Sequence, residues 1–305
     1  MTLHQLRLLC AVVRHRSLTR AGEELLLSQP AVTMQLKELQ KELGAALYER
    51  LGKTLHLTTA GDTLERYARR VLALVEEAEA AVHALQRDNG GRVRVGASNT
   101  PGIYLLPPLL SAFCREFPAV ELAITVGNTQ TIAEKILHNE LDLGVVGESL
   151  YRAELTIMPW VTDTLVLAVS AHHPWAKRKT VAPEELLTER LLGREPGSAT
   201  RKTYEQAFLQ RGLTLPKTIE IGGIEAIKRA VEAGLGVAIL SAYSVAREAK
   251  EGRVATLSLK GLPITRPLSV VHHKDKTLTP PMQELLRRLH QMSGRGRPGL
   301  RKSRR

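Results

Sequence analysis

The 305-residue chain holds only two cysteines, Cys10 and Cys114. They fall in different predicted domains, and Cys10 lies on the apolar face of a predicted helix. Neither a disulfide framework nor a zinc-ligand spacing follows, which fits a reducing compartment. Long apolar runs are also missing, and none approaches the ~20 residues needed to span a bilayer. The first stretch, MTLHQLRLLCAVVRHRS, has charge inside its apolar run and no small-residue cleavage site. A secretory signal is therefore not expected, and a cytoplasmic location is. No short repeat or low-complexity segment precedes the C-terminal tail.

Catalytic constellations are equally scarce. His172-His173 and His272-His273 are adjacent pairs, not the spaced ligands of a metal helix. Cys10 has apolar neighbours and no base. Gly234-Leu235-Gly236 lacks a third glycine and follows a predicted helix, so it is not a dinucleotide fingerprint. Trp160 and Trp175 read as packing residues. No acid/base pair or triad stands out. Enzymatic, metal and cofactor roles are not expected.

Negative charge is in deficit. The formal net charge is +12 and the pI about 9.9, which suits a polyanionic partner. Half of that excess sits in the last eleven residues, in Arg295, Arg297, Arg301, Lys302, Arg304 and Arg305. This basic tail, residues 295–305, reads equally well as a solubilising end. Residues 1–58 carry eight Lys and Arg against five Glu.

What is present centres on residues 17–43, SLTRAGEELLLSQPAVTMQLKELQKEL. Two short helices joined by a tight turn fit this stretch. Ser17 or Thr19 can cap the first helix, which has Leu18, Ala21 and Leu25 on one face. Ser28 can cap the second, and Pro30 sits in its first turn, where a missing N–H costs little. Val32, Leu36, Leu39 and Leu43 form an apolar stripe. The opposite face shows Gln29, Thr33, Lys37 and Lys41. Gln can pair with adenine, Thr can touch a thymine methyl, and Lys can hold a phosphate. Before this pair, Thr2 and Gln5 spell a capping box, and Leu6, Leu9, Cys10 and Val13 mark one buried face. After it, Leu47 to Arg50, a Gly52-Lys53 turn, and Leu55 to Thr58 fit a β-hairpin. Three helices and a hairpin make a winged helix-turn-helix.

Ser17-Leu-Thr-Arg-Ala21, Leu25, Ser28-Gln-Pro-Ala-Val-Thr33, Gln35, Leu39, Leu47-Tyr-Glu-Arg50 and Leu57-Thr-Thr-Ala-Gly61 resemble the LysR-type transcriptional regulators. The resemblance runs from Leu3 to Gly61. It implies DNA contacts from Thr19, Arg20, Ser28, Gln29, Pro30, Ala31, Thr33, Met34 and Lys37, with Arg50 and Lys53 on the wing. Gly22 departs from the family's usual alanine and should loosen its helix slightly. Thr33 and Met34 stand where small or hydroxyl residues are common.

From Thr59, Leu64, Ala68, Val71, Val75, Ala78, Val82 and Leu85 repeat at steps of four and three, a coiled-coil seam. Asn89-Gly90-Gly91 ends it. Such a helix, on the order of 40 Å long, needs a partner. A second copy is the simplest, and packing against the chain's own domains is the alternative. Two copies would offer two reading helices to a quasi-palindromic operator.

Beyond Arg92, strands and helices alternate, an α/β pattern. Strands are expected at 93–97, 120–126, 143–146, 165–169, 218–221, 237–240 and 268–272. Helices are expected at 105–117, 132–139, 199–211, 224–233, 244–251 and 282–292. The family resemblance implies two Rossmann-like subdomains of periplasmic-binding-protein type, with crossings near Val161 and Pro267. The expected domains are a DNA-binding unit (1–58), a linker helix (59–90) and an effector domain (91–294). Within the last, residues 91–161 and 267–294 form one subdomain and 162–266 the other.

Loops that follow strands and open helices attract anions through free N–H groups and the helix dipole. The candidate effector residues are Ser98, Asn99, Thr100, Asn128, Thr129, Pro196, Gly197, Ser198, Arg201, Ile224 and Glu225. Hydroxyls at such positions also cap helices, so capping is the competing explanation. The stretches Ala97 to Thr100 with Tyr104 to Pro107, and Arg194 to Ser198 with Thr200 and Arg201, look most like the branch that includes regulators of carbon-fixation operons. Those sense phosphorylated metabolites or nicotinamide cofactors. The expected partners are double-stranded promoter DNA, a small anionic metabolite, a second copy in a dimer or tetramer, and RNA polymerase. A solute-binding protein and an enzyme using the α/β cleft are the alternatives. The former lacks an export signal and leaves residues 1–61 unexplained.

Overall fold

The computed structural model describes residues 1–51, 54–86, 90–147 and 152–293. They form two compact units, residues 1–86 with 138–140, and the α/β remainder.

In the first unit, α1 (Leu3–His15) opens with the Thr2–Gln5 capping box. Helix α2 (Leu18–Leu25) is capped by Ser17 and α3 (Gln29–Leu43) by Ser28, each hydroxyl accepting a first-turn N–H. Gly44, at φ +64°, stops α3 in the left-handed region that glycine favours. Strands β1 (Tyr48–Leu51) and β2 (Thr54–Leu57) pair antiparallel. Leu8, Leu9, Val12, Leu18, Val32, Leu36, Leu39 and Leu47 form the core. Leu43 does not continue this stripe: it is 41% exposed at the last turn of α3. Gly22 does more than loosen α2. Leu27 N–H bonds back to the Gly22 carbonyl at 2.8 Å. A Cβ on Gly22 would stand 2.5 Å from the Leu27 carbonyl oxygen.

Helix α4 (Thr59–Gln86) follows. Its seam is divided. Leu64 and Ala68, with Leu72, pack against Leu6 and Cys10 of α1. Val71 and Val82 stay exposed, and Tyr67 and Leu74 extend that exposed apolar stripe. The part of the seam nearest the core of α1, α2 and α3 is thus used within the unit. Burial pushes the Cys10 thiol up to about 11, with help from the nearby Glu65 charge, so it stays protonated at neutral pH.

The second unit begins with β3 (Gly91–Ser98), a π turn (Pro101–Leu105), α5 (Leu106–Glu116), β4 (Val120–Gly127), α6 (Thr129–Leu137) and β5 (Leu143–Val146). A long strand, β6 (Leu155–Ser170), leads to β7 (Thr180–Val181), a 3-10 turn (Pro183–Thr188) and β8 (Leu191–Gly193). Then come α7 (Ala199–Gln210), β9 (Thr218–Glu220), α8 (Ile224–Glu232), β10 (Ala238–Ser241) and α9 (Ala242–Lys250). Strands β11 (Val254–Leu259) and β12 (Ile264–His273) and helix α10 (Pro280–Ser293) complete it. The main sheet runs β4-β3-β5-β12-β6-β11-β7, with β10 also on β6.

Strands β6 and β12 serve both lobes. The first lobe has β3, β4 and β5 beside the start of β6 and the end of β12. In the second, β10 and β11 pair with the end of β6. Val161 faces Leu268 across the ladder, and the register shifts between Leu268 and Ser269. Each lobe has its own core, around Phe113, Leu143, Leu268 and Leu285 in one and Leu167, Trp175, Tyr204 and Phe208 in the other. Trp160 Nε1 donates to the Leu289 carbonyl at 2.7 Å and ties α10 to the first lobe. No helix among the described residues is long and apolar enough to cross a membrane.

Candidate DNA-reading face and ligand cleft

The outer face of α3 carries a shallow concavity of about 530 Å³ lined by Gln29, Pro30, Thr33, Met34, Lys37, Glu38 and Lys41. These side chains share one face because the core takes Val32, Leu36 and Leu39 on the other. Gln29 Nε2 donates to Thr33 Oγ1 at 3.1 Å, and Thr33 Oγ1 donates to the Gln29 carbonyl at 3.0 Å. The two side chains are held together, and the Gln29 amide oxygen takes no part in either bond. No acidic residue occupies the first turn of α3. Ser28 and Ala31 form the cap itself, at 3.4 Å. Thr19 and Arg20 are exposed in the first turn of α2. Arg50 lies in β1, and Lys53 lies outside the described residues.

The α/β unit brings most of the candidate effector residues together. Ser98, Asn99 and Thr100 at the end of β3, Asn128 and Thr129 at the start of α6, and Ser198 before α7 line one small void of about 10 Å³, roughly the room one water needs. Beside it opens a groove of about 490 Å³, shared by Thr129, Pro196, Gly197, Ser198 and Arg201. Gly197 has φ +81°, and a Cβ there would press within 3.0 Å of Gln130 Oε1 and 3.2 Å of Asn128 Nδ2. Glycine is what lets this turn approach the opposite lobe.

Capping accounts for some of these residues and not others. Asn128 Oδ1 accepts the Thr131 N–H at 2.9 Å, an ordinary cap. Asn99 Nδ2 donates to the Gly127 carbonyl at 2.9 Å and ties β3 to β4. Ser198, by contrast, makes no capping bond to α7. Thr100 accepts from Arg266 at 3.1 Å instead of capping. Thr129 Oγ1 is buried with no hydrogen-bond partner among the described residues.

Two arginines that sequence reasoning missed line the same void, Arg194 and Arg266. They are only 2% and 5% exposed. Arg194 forks onto Glu195 at 2.7 and 2.9 Å. Burial works against the Glu195 charge, yet the Arg194 bonds hold its carboxyl below the usual range. Arg266 donates to Asp163 at 2.9 Å, and Asp163 also accepts from Ser241 at 2.7 Å. Burial pushes Asp163 up, and Arg266 and Ser241 offset this only in part. Each buried guanidinium is thus offset by a carboxylate beside it. Arg266 precedes the strand expected at 268–272 and sits between Thr265 and Pro267 in β12, so no local pattern marked it.

Arg201 lines the groove but already donates to Glu205 at 2.8 Å, Glu220 at 2.9 Å and the Arg194 carbonyl at 3.0 Å. Ile224 and Glu225 are not part of this cluster. Ile224 is buried in the second lobe's packing. Glu225 lines a separate cavity and accepts from the Tyr104 hydroxyl at 2.5 Å.

Two family models together cover almost the whole chain. The bacterial regulatory helix-turn-helix protein of the lysR family matches residues 3–62, and the LysR substrate binding domain matches residues 86–293. This chain belongs to the LysR family. The regulator is 35% identical to the HTH-type transcriptional activator CmpR of Synechocystis over 91% of each chain. It is 38% identical to the HTH-type transcriptional regulator CbbR of Rhodospirillum rubrum, over 91% of this chain and 92% of that one. These relatives are transcriptional regulators and not enzymes, and this protein is a DNA-binding regulator with an effector-binding domain. Its fold matches the crystal structure of CbnR, a LysR family transcriptional regulator, with a TM-score of 0.72 at 24% identity, over 96% of this chain and 99% of that one. The regulatory domain of Synechocystis PCC6803 CcmR in complex with 2-PG matches with a TM-score of 0.62 at 28% identity, over 67% of this chain and 97% of that one.

Proposed function

We propose that the regulator binds promoter DNA as a dimer or tetramer and that a small phosphorylated or carboxylated metabolite in the lobe cleft alters that binding. Residues 1–58 would read DNA, 59–90 would join two copies, and 91–294 would sense the metabolite, in the cytoplasm. On the duplex, Gln29 and Thr33 touch base edges while Lys37, Arg50 and Lys53 rest on phosphates. The exposed stripe Tyr67, Val71, Leu74 and Val82 meets its equivalent on a second copy. RNA polymerase then senses the changed bend of the DNA.

One observation carries the ligand reading. The Thr129 hydroxyl lies buried and unpartnered beside Arg194, Arg266 and the uncapped Ser198. An oxyanion accepts bonds from all four groups and from the N-terminal N–H groups of α7. The 2-PG bound by the CcmR regulatory domain has this chemistry. Because the inner void is only about 10 Å³, entry of an organic anion requires the lobes to part, and β6 and β12 are the strands across which they can turn. Ligand binding and lobe angle are therefore linked.

The test is thermal unfolding with and without 2-PG. The full chain is expected to gain stability with ligand, and Thr129→Val and Ser98→Ala are expected to gain less. Without ligand, Thr129→Val should itself be more stable by about 1 kcal/mol, since it removes an unpaired buried hydroxyl. An unchanged ligand response in both variants would move the site elsewhere.

A further inference from the structure

A cavity of about 350 Å³ lies between the π turn Pro101–Leu105, α8 and α9, and it shares no lining residue with the cleft. That is within the usual size range of small-ligand sites. Its floor is a buried ionic cluster. Lys228, 4% exposed, donates to Glu248 Oε1 at 2.9 Å and to Glu225 at 2.8 Å, and stands 5.2 Å from the centre of the Tyr104 ring. The lysine is thereby satisfied, but the glutamate is not. Glu248 is itself buried, and its Oε2 has no hydrogen-bond partner among the described residues. A buried carboxylate oxygen left bare asks for a donor, an O–H or N–H.

The rim has the opposite bias. Arg229, Arg247 and Arg253 border the cavity with Lys228, against Glu225 and Glu248 in its lining. Arg229 also pairs with Glu232, Arg247 with Glu251 and Arg253 with both, so an anion here would share these guanidinium groups with carboxylates already bound. Tyr104, Tyr243 and Ile103 supply apolar wall. We propose that this cavity is a second ligand site, which takes a small hydroxylated organic anion. A ligand hydroxyl donates to Glu248 Oε2, the carbon skeleton lies along Tyr104, and the anionic group stays among the rim arginines. The same turn that carries Tyr104 starts directly after Thr100, a wall of the cleft. Occupancy of the second site is thus positioned to bear on the first through one turn of backbone.

Titration calorimetry of the full chain tests this with two probes of equal charge and similar size. Glycerol 3-phosphate has hydroxyls; propyl phosphate has none. Glycerol 3-phosphate is expected to bind at least about tenfold more tightly, because the unpaired carboxylate rejects a ligand without a donor. Arg247→Glu changes an exposed side chain that pairs with the exposed Glu251 at 2.8 Å and leaves Glu251 its Arg253 partner, so the fold should survive with a slightly lowered melting temperature. It should weaken glycerol 3-phosphate by about tenfold or more, and Glu248→Gln should erase the preference between the probes. Glycerol 3-phosphate binding that Arg247→Glu leaves unchanged, a preference that survives in Glu248→Gln, or no heat up to about 10 mM ligand would each overturn the proposal.

Discussion

Leu26 occupies a backbone position that its side chain disfavours. It has φ 57° and ψ 39° at the end of α2, and it is 94% exposed, so no packing compensates. The left-handed conformation costs a residue with a bulky Cβ roughly 1–2 kcal/mol, and asparagine tolerates it better. Leu26→Asn is expected to raise the free energy of unfolding by about 1 kcal/mol in urea titrations; a lower midpoint would show that Leu26 has a partner. Asp142 is the reverse case. It accepts from Arg94 at 2.7 and 2.9 Å and pairs with Lys276 at 2.9 Å. Burial alone would raise its carboxyl, but Arg94 and Lys276 outweigh it and leave it below the ordinary value. A depressed acid stabilises the fold above its unfolded-state pKa, about 4, and the contribution is lost as pH falls through the lower folded value. Asp142→Asn should cost about 3 kcal/mol near neutrality, since half-buried Arg94 and buried Lys276 lose this carboxylate. Its stability should then fall less steeply than the parent's on acidification below about pH 4. At this scale the sequence was an uneven guide. Ser28, Gln29 and Thr33 were legible because caps and helix faces depend on neighbours in the chain. Arg194 and Arg266 were not, because their meeting depends on the lobes.

The elements show the same division. Helices α1, α2 and α3 could be read from caps and spacing, and α4 from its seam. Most of β6, its first ten residues and its last, escaped, because Pro159 interrupts the pattern and the burial changes where the strand passes between lobes. Short strands β7 and β8 carry too few residues for a period to register. In α4 the period was clear, but its partner was not: α1 takes Leu64 and Ala68, and Val71 and Leu74 stay exposed; in the proposed assembly they meet a second copy. Val71→Glu should therefore leave the melting of the DNA-binding unit nearly unchanged and shift the sedimenting species toward monomer. Unchanged association would mean that the copies meet through other surfaces.

For the whole molecule, the division between a reading unit and a sensing unit followed from where helical hairpin gives way to alternating strands and helices. The inner cleft does not follow from any local pattern, since its walls come from β3, α6, α7 and β12 together. The most direct measurement is fluorescence anisotropy of the full chain on two duplexes at one salt concentration, one selected for tight binding and one of scrambled sequence. Gln29→Ala is expected to weaken the selected duplex by ~1–3 kcal/mol and to leave the scrambled one unchanged, whereas Lys37→Ala should weaken both and flatten their salt dependence. Equal loss on both duplexes for Gln29→Ala, or none on either, would contradict base reading by α3.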